Sequence, residues 1–487
     1  MKKVIRIILW ALVVLLLVII IRTFTFSSRQ ISTWESVVPP VGIEAAERLA
    51  AAVRIPTISY EADMPIDSGA FDAFHEYLFE TYTAVHELIT PLKFNKYSLL
   101  YEWKGSNPQL KPVVLMAHMD VVPAGETDLW TRQPFSGEID DEFIWGRGTL
   151  DDKGALIQIM EAVDKLITEG FVPSRTFFLA FGHDEEISGN LGAASIASYL
   201  SEQGIEAEFV ADEGMAITVG MVPMMKSPVA LIGTSEKGYM SVRLSVTMDG
   251  GHSSTPEKES AVTLIADAVS RLNEKQLKAR ISGPVNDFIS YVGPEMPFYA
   301  RVIFANKWLF KPLLLSIYTG SSSGNALVRS TTAPTILSAG IKDNIIPNTA
   351  SAVINFRILS GETSDDILAH IREVAPDERI AIEILPGLSE PAPVSPTEVY
   401  GFRSILKTIR QVYPEAVVSP TIMLASSDSK HFTGVSPNIY RFAPIVVTSD
   451  DMVSIHGVDE RVRTEDFLRG ITWYYYLIRN SNDEEME

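Results

Sequence analysis

The chain has 487 residues, 46% of them apolar and 21% charged, an ordinary globular composition long enough for two or three domains with cores of their own. With 41 Lys and Arg against 61 Asp and Glu, the formal charge is −20, which argues against a general affinity for nucleic acid or anionic lipid, since both need a basic face. The absence of cysteine excludes disulfides, thiolate zinc sites, a cysteine nucleophile and a lipoprotein anchor, so any metal must be held by histidine and carboxylate.

Lys2, Lys3 and Arg6 precede an apolar run from Ile7 to Ile21, which Arg22 closes. As a helix these fifteen residues rise roughly 22 Å, against about 30 Å of hydrocarbon. Val4 and Ile5 extend the run if Arg6 snorkels, and Phe24 and Phe26 suit the far interface. Residues 4–22 are therefore expected to form a transmembrane signal-anchor with the body outside the cytoplasm. A cleaved signal peptide, giving a secreted body, is the rival reading, but no clear A-x-A site follows.

From about residue 40, strands and helices alternate. Val113–Ala117, Thr176–Phe181 and Phe209–Ala211 read as buried strands, with helices over Gly154–Ile167 and Ala193–Leu200. This alternation predicts a mainly parallel sheet covered on both faces, with functional residues at the carboxyl ends of the strands. From Thr234 the pattern changes to a strand at Tyr239–Thr247 and a helix at Ala261–Leu272. Strands at Thr335–Ile341 and Ala350–Leu359, a helix over Asp365–Val374 and a strand over Ile380–Leu385 follow. That order is βαββαβ, a ferredoxin-like sandwich set into the main domain. The expected organisation is thus a catalytic domain in two segments, 40–235 and 391–480, interrupted by an insert over 236–390. The second segment holds a helix (Val399–Val412), a strand (Thr421–Leu424) and a closing helix from about Thr464. Within the insert, residues 283–330 are rich in large apolar groups. They read either as core and dimer interface or as a wall receiving a long acyl chain near a membrane surface. The acidic tail 483–487 reads as a solvated end.

Five groups follow predicted strands or turns: His118-Met119-Asp120, the glycine turn 146–154 with Asp151 and Asp152, His183-Asp184-Glu185-Glu186, Asp212-Glu213-Gly214, and His456-Gly457. Each alone has an ordinary explanation as a surface pair, a capped turn or a solvated helix start. Together they converge on one edge of a sheet, and imidazole with carboxylate is the donor set that suits zinc.

The passages AHMDVVPAG, WGRGTLDDKGA, AFGHDEEISG, VADEG, GGHSS, NALVRSTTAP and IHGVDERV resemble a family of dinuclear-zinc hydrolases. Its members include carboxypeptidase S, aminoacylase, carnosinase and succinyl-diaminopimelate desuccinylase, and the resemblance is strongest to the N-acyl-amino-acid hydrolase and carboxypeptidase S branch. It implies an exopeptidase-type α/β domain with an inserted lid and dimerisation domain, a homodimer, and an N-acyl amino acid or small peptide as substrate. It also implies two zinc ions per subunit, for which manganese or cobalt can substitute. Asp151 would bridge the ions, His118 and Asp212 would complete one site, and Glu186 and His456 the other. Asp120 would orient His118, Glu185 would be the general base, and His252 would reach the site from the lid, usually that of the partner subunit. Asn344 and Arg357 would hold the substrate carboxylate or carbonyl. Lys430 stands where relatives commonly carry arginine, so it offers a point charge rather than a fork. An acylase of another small amide, or a silent ligand-binding relative, would share the same frame.

Overall fold

The computed structural model describes residues 1–32, 37–61 and 64–482; the tail reading at 483–487 lies outside the described residues. A ten-stranded sheet organises the body. Its centre is the set of strands expected from the sequence: Val113–His118 runs parallel to Phe177–Gly182 on one side and to Phe209–Asp212 on the other. The sheet as a whole is mixed rather than mainly parallel. The hairpin Leu92–Phe94/Ser98–Trp103 adds antiparallel strands at one edge, and Val229–Glu236 runs antiparallel to Ile439–Arg441. A short hairpin needs no crossover helix, so it extends a parallel core with antiparallel strands.

Side chains alternate across Val113–His118. Val113, Leu115 and Ala117 enter the larger core beneath helices Glu44–Val53, Lys153–Thr168, Tyr400–Val412 and Thr464–Asn480. Val114 and Met116 enter a second core beneath helix Ala193–Glu202. Both faces are therefore covered, which is why the strand is apolar throughout. Each such fully buried Leu, Val or Phe contributes about 1.5–3 kcal/mol.

The strand Val229–Glu236 belongs to the body, and Gly238–Thr247, one residue later, belongs to a separate four-stranded sheet. That sheet has the order Thr331–Ala339, Thr349–Ile358, Gly238–Thr247, Ala381–Ile384, with every neighbouring pair antiparallel. Helices Ala261–Glu274 and Ser364–Val374 cover one of its faces through Ile265, Ala268 and Leu272 and through Ile367, Ile371 and Val374. Each starts at a capping box, Ser260 with Thr263 and Thr363 with Asp366, worth about 1 kcal/mol apiece. Between the first helix and the next strand, residues 283–328 form four helices that pack on the body instead. Val285, Ile289 and Leu314 meet Val222, Val229 and Ile422 in one cluster.

Lys2–Phe24 forms one helix of 23 residues with a mean hydropathy of 3.3 over its apolar window and no burial of that window, long and apolar enough to cross a membrane. At 1.5 Å per residue it is roughly 34 Å long.

Candidate metal centre

His118 is the last residue of its strand and sits in register with Gly182 of the parallel neighbour. The Asp184–Glu186 segment therefore begins beside it, and Asp212 ends the third strand of the set. Asp151 comes from the turn after strand Phe143–Trp145, where Gly146 and Gly148 take φ of 140° and 90°, a region closed to most side chains. His456 follows helix Ser449–Ser454 with φ of 59°.

These residues meet around one carboxylate. Asp151 Oδ1 lies 2.9 Å from His118 Nε2, and Asp151 Oδ2 lies 3.0 Å from His456 Nε2. His456 Nε2 is also 3.2 Å from Glu186 Oε2. Two donor groups result, His118–Asp151–Glu213 and Asp151–Glu186–His456, each with one ligand atom per residue and all atoms within 4.8 Å of one another. Glu213 is the acid of the Asp212-Glu213 pair that falls within the first group. Asp212 is buried, and its Oδ2 accepts a 2.8 Å hydrogen bond from the Ser429 amide. Adjacent residues at a strand end point to opposite sides, and the sequence showed the Asp-Glu pair but not that Glu213 lies beside His118 and Asp151.

The residues fit a metal. Glu186 Oε1 is buried with no hydrogen-bond partner, which leaves a lone pair free for a cation. Acids crowd the pocket. Burial, with help from Asp151 and Asp152 and against His118, pushes Glu213 well above the usual carboxylate range. Burial does the same to Glu185, helped by Asp428, Asp151 and Glu186 and opposed by His118. Burial also acts on Asp151, but its bonds to His118 and His456 win and hold it below that range. A cluster of buried carboxylates with two imidazoles is the environment that cations stabilise.

The supports lie one layer out. His118 Nδ1 is 2.9 Å from the Asp120 carbonyl and 3.3 Å from Asp120 Oδ1. Asp120 also accepts from the Glu185 and Glu186 amides at 3.2 and 3.3 Å, so one carboxylate positions a histidine and two acids. Sequence reasoning passed over a second support, Glu460 and Arg147. Glu460 Oε1 accepts from the amides of Gly148, Leu150 and Asp151 at 2.9, 2.9 and 3.3 Å, and Oε2 pairs with Arg147. Arg147 donates to the Gly457 carbonyl at 2.8 Å, so the pair ties the Asp151 turn to the His456 loop. Both residues stand inside motifs quoted above, WGRG and GVDER, and a charge of opposite sign in each was the available signal.

The substrate residues are spread out. His252 pairs with Ile345 on a two-residue ladder, and Ser253 donates to the Asn344 carbonyl at 3.3 Å, so His252 and Asn344 share one end of the sandwich. Both are exposed. Arg357 lies at the far end of Thr349–Ile358, 4.9 Å from the Tyr239 ring centroid. Eight residue steps along the strand separate it from Thr349, roughly 27 Å at ~3.4 Å each. Asn344 and Arg357, expected to act together, are therefore apart within one chain. Lys430 is half-buried in the 3₁₀ turn Asp428–Gly434. His183 is buried against Phe71 and Tyr97 and bonds Ser98, and His431 bonds the Ser188 carbonyl, so neither joins the donor groups.

Residues 114–480 match the peptidase family M20/M25/M40. The chain belongs to that family. It is a metal-dependent hydrolase of the carboxypeptidase and aminoacylase type. It is 41% identical over 483 residues to a probable carboxypeptidase S-like 2 of Dictyostelium discoideum, covering 96% of this chain and 92% of that one. It is 38% identical over 485 residues to the N-fatty-acyl-amino acid synthase/hydrolase PM20D1 of Xenopus tropicalis, covering 98% and 94%. Among solved structures, the M20 family metallo-carboxypeptidase Sso-CP2 of Sulfolobus solfataricus shares the fold with a TM-score of 0.64 at 18% identity, covering 90% of this chain and 99% of that one.

Proposed function

We propose that this M20 hydrolase cleaves the amide bond of N-acyl amino acids or of C-terminal residues in small peptides, using two metal ions, most naturally zinc. The observation that carries the two-ion reading is the Asp151 carboxylate, whose oxygens face separate histidines. His118, Asp151 and Glu213 would hold one ion and Asp151, Glu186 and His456 the other. Metal in these groups supplies a Lewis acid for the amide carbonyl and lowers the pKa of water. Glu185 takes the proton from the attacking water and returns it to the leaving nitrogen; its buried, acid-crowded position makes it a willing proton acceptor. Asp120 keeps His118 in the tautomer whose Nε2 faces Asp151.

The sandwich, residues 236–390, serves as lid and dimerisation domain. The separation of Asn344 and His252 from Arg357 supports a composite site, in which His252 and Asn344 of one copy reach the cleft of a second. Arg357, and more weakly Lys430, supply positive charge for the substrate carboxylate. Lys2–Phe24 is an uncleaved anchor that holds the body on the extracytoplasmic side, following its Lys- and Arg-rich amino flank.

The test is release of free amino acid from matched acetyl, long-chain acyl and dipeptide substrates by the metal-loaded full chain, with Glu185→Gln as control. Release that disappears in the control is expected, and the preferred substrate names the branch. No release from any of them by protein carrying its full metal complement would refute the substrate reading.

A further inference from the structure

Helix Lys307–Thr319 buries one side and leaves the other bare. Leu314 enters the body core with Val222, Val229 and Ile422, whereas Trp308, Leu309, Leu313 and Ile317 are 39–57% exposed. Their spacing of one and four residues lines them up as a single stripe. Phe298 and Tyr299, at 59% and 62% exposed, add to it from the start of the preceding helix, Phe298–Ala305. Large apolar groups exposed together mark a contact surface.

Charge narrows what the stripe meets. From Met296 to Lys342 the sequence contains no Asp or Glu, yet it carries Arg301, Lys307, Lys311, Arg329 and Lys342. In a chain with 61 acidic residues and a charge of −20, this is a local reversal of sign. Aromatic and aliphatic side chains flanked by lysine and arginine suit a phospholipid interface.

Position decides the partner. Arg22 donates to the Ala305 carbonyl at 3.3 Å, and Asn306 donates to the Ile19 carbonyl at 3.3 Å and to Thr23 Oγ1 at 3.2 Å. The Phe24 and Phe298 rings lie 6.1 Å apart. The junction from which the bare helix starts is thus bonded to the end of the spanning helix, the end that must lie at the far membrane interface. The chain beyond leaves no slack: Phe26 packs into the cluster of Leu314 and Gly293 meets its ring. Gln30 then exchanges 2.9 and 2.8 Å hydrogen bonds with the Val418 backbone. Body, stripe and anchor are therefore one connected unit.

We propose that the Trp308–Ile317 stripe with Phe298 and Tyr299 is a second membrane contact, lying in the interfacial zone of the bilayer that Lys2–Phe24 spans. The proposal rests on the anchor reading above and adds to it that the body is seated on the lipid in a fixed orientation rather than tethered above it. A stripe of this kind also brings the enzyme to substrates that partition into the bilayer.

The absence of cysteine gives a clean test, because one introduced cysteine is the only labelling site. The full chain carries an environment-sensitive fluorophore at Leu313→Cys, Val14→Cys or, as an exposed control on the sandwich, Glu378→Cys. Each is placed in phosphatidylcholine nanodiscs containing lipids with a spin-label quencher near the headgroup or deep in the acyl chain. Loss of Leu313 emission to the shallow quencher, loss of Val14 emission to the deep one and none at Glu378 are expected. Quenching at Val14 without quenching at Leu313 would overturn the second contact and leave the anchor standing. Quenching at neither site would overturn the anchor and the inference together. Efficient crosslinking of Leu313→Cys between copies by a short bismaleimide, with no lipid quenching, would assign the stripe to a second copy and overturn the proposal.

Discussion

Glu213→Gln separates the two readings of the acid pair at the end of the third strand. The substitution keeps the side-chain volume and removes the charge from the His118–Asp151–Glu213 group. Losing even an outer-shell partner costs a metal site 10–100-fold in affinity, so loss of a ligand belongs at the upper end, about 100-fold. At fixed free metal that removes about 2.7 kcal/mol of metal-induced stabilisation. In metal-free protein the sign is opposite. Burial and the neighbouring Asp151 and Asp152 charges make an ionised Glu213 unfavourable, so the uncharged amide relieves crowding and the apo melting temperature holds or rises. Asp212→Asn behaves differently, because it weakens the bond from the Ser429 amide by about 1–2 kcal/mol with and without metal alike. The assay is thermal unfolding before and after metal loading, with metal content measured on the dialysed protein. A full metal complement in Glu213→Gln together with its loss in Asp212→Asn would refute the placement of Glu213.

Three further outcomes are expected. Arg147→Met leaves Glu460 buried without its cation, costing about 3–5 kcal/mol of stability and 10–100-fold in metal affinity; Glu460→Gln is milder because its oxygen still accepts from Gly148 and Leu150. Unchanged unfolding and metal content in Arg147→Met would contradict this. Lys237, between the two sheets, donates to the Ala326 and Arg329 carbonyls at 2.9 and 2.8 Å, and burial, opposed by Glu362, lowers it to about 7 from 10.5. The unfolded chain then binds the extra proton between these values, so stability rises with pH from about 7 to 10.5, by up to roughly 5 kcal/mol at ~1.4 kcal/mol per pH unit. Denaturant unfolding across that range should show the slope in wild type and its loss in Lys237→Met. Finally, Leu314→Ala should cost about 2–5 kcal/mol by opening the body core, and Leu313→Ala within about 0.5 kcal/mol, read by the unfolding midpoint; equal effects would mean that Leu314 is not buried while Leu313 is exposed.

Much of the frame was legible because it depends on short-range pattern. The runs 113–118, 177–182 and 209–212 are apolar almost throughout, and a strand buried on both faces has to be. Their parallel pairing follows from the helices between them, which is how His118 and the Glu185-Glu186 pair were placed at one edge. The order βαββαβ was readable for the same reason. The antiparallel edge was not, since a hairpin such as 92–103 carries the same alternation whether it joins this sheet or another.

What the sequence determined by itself is the inventory: an apolar amino-terminal helix, a metal chemistry limited to imidazole and carboxylate by the lack of cysteine, and acids and histidines set after successive strands. Tertiary structure decided which of those groups meet. It brought Glu213 together with His118 and Asp151 and buried Arg147 with Glu460 behind Asp151. It also set Asn344 and Arg357 at opposite ends of one strand and tied Asn306, where helix Lys307–Thr319 begins, to the end of the membrane helix. A residue's type is local, but the direction of its side chain depends on partners hundreds of residues away, such as Ser429 for Asp212 and Ile19 for Asn306.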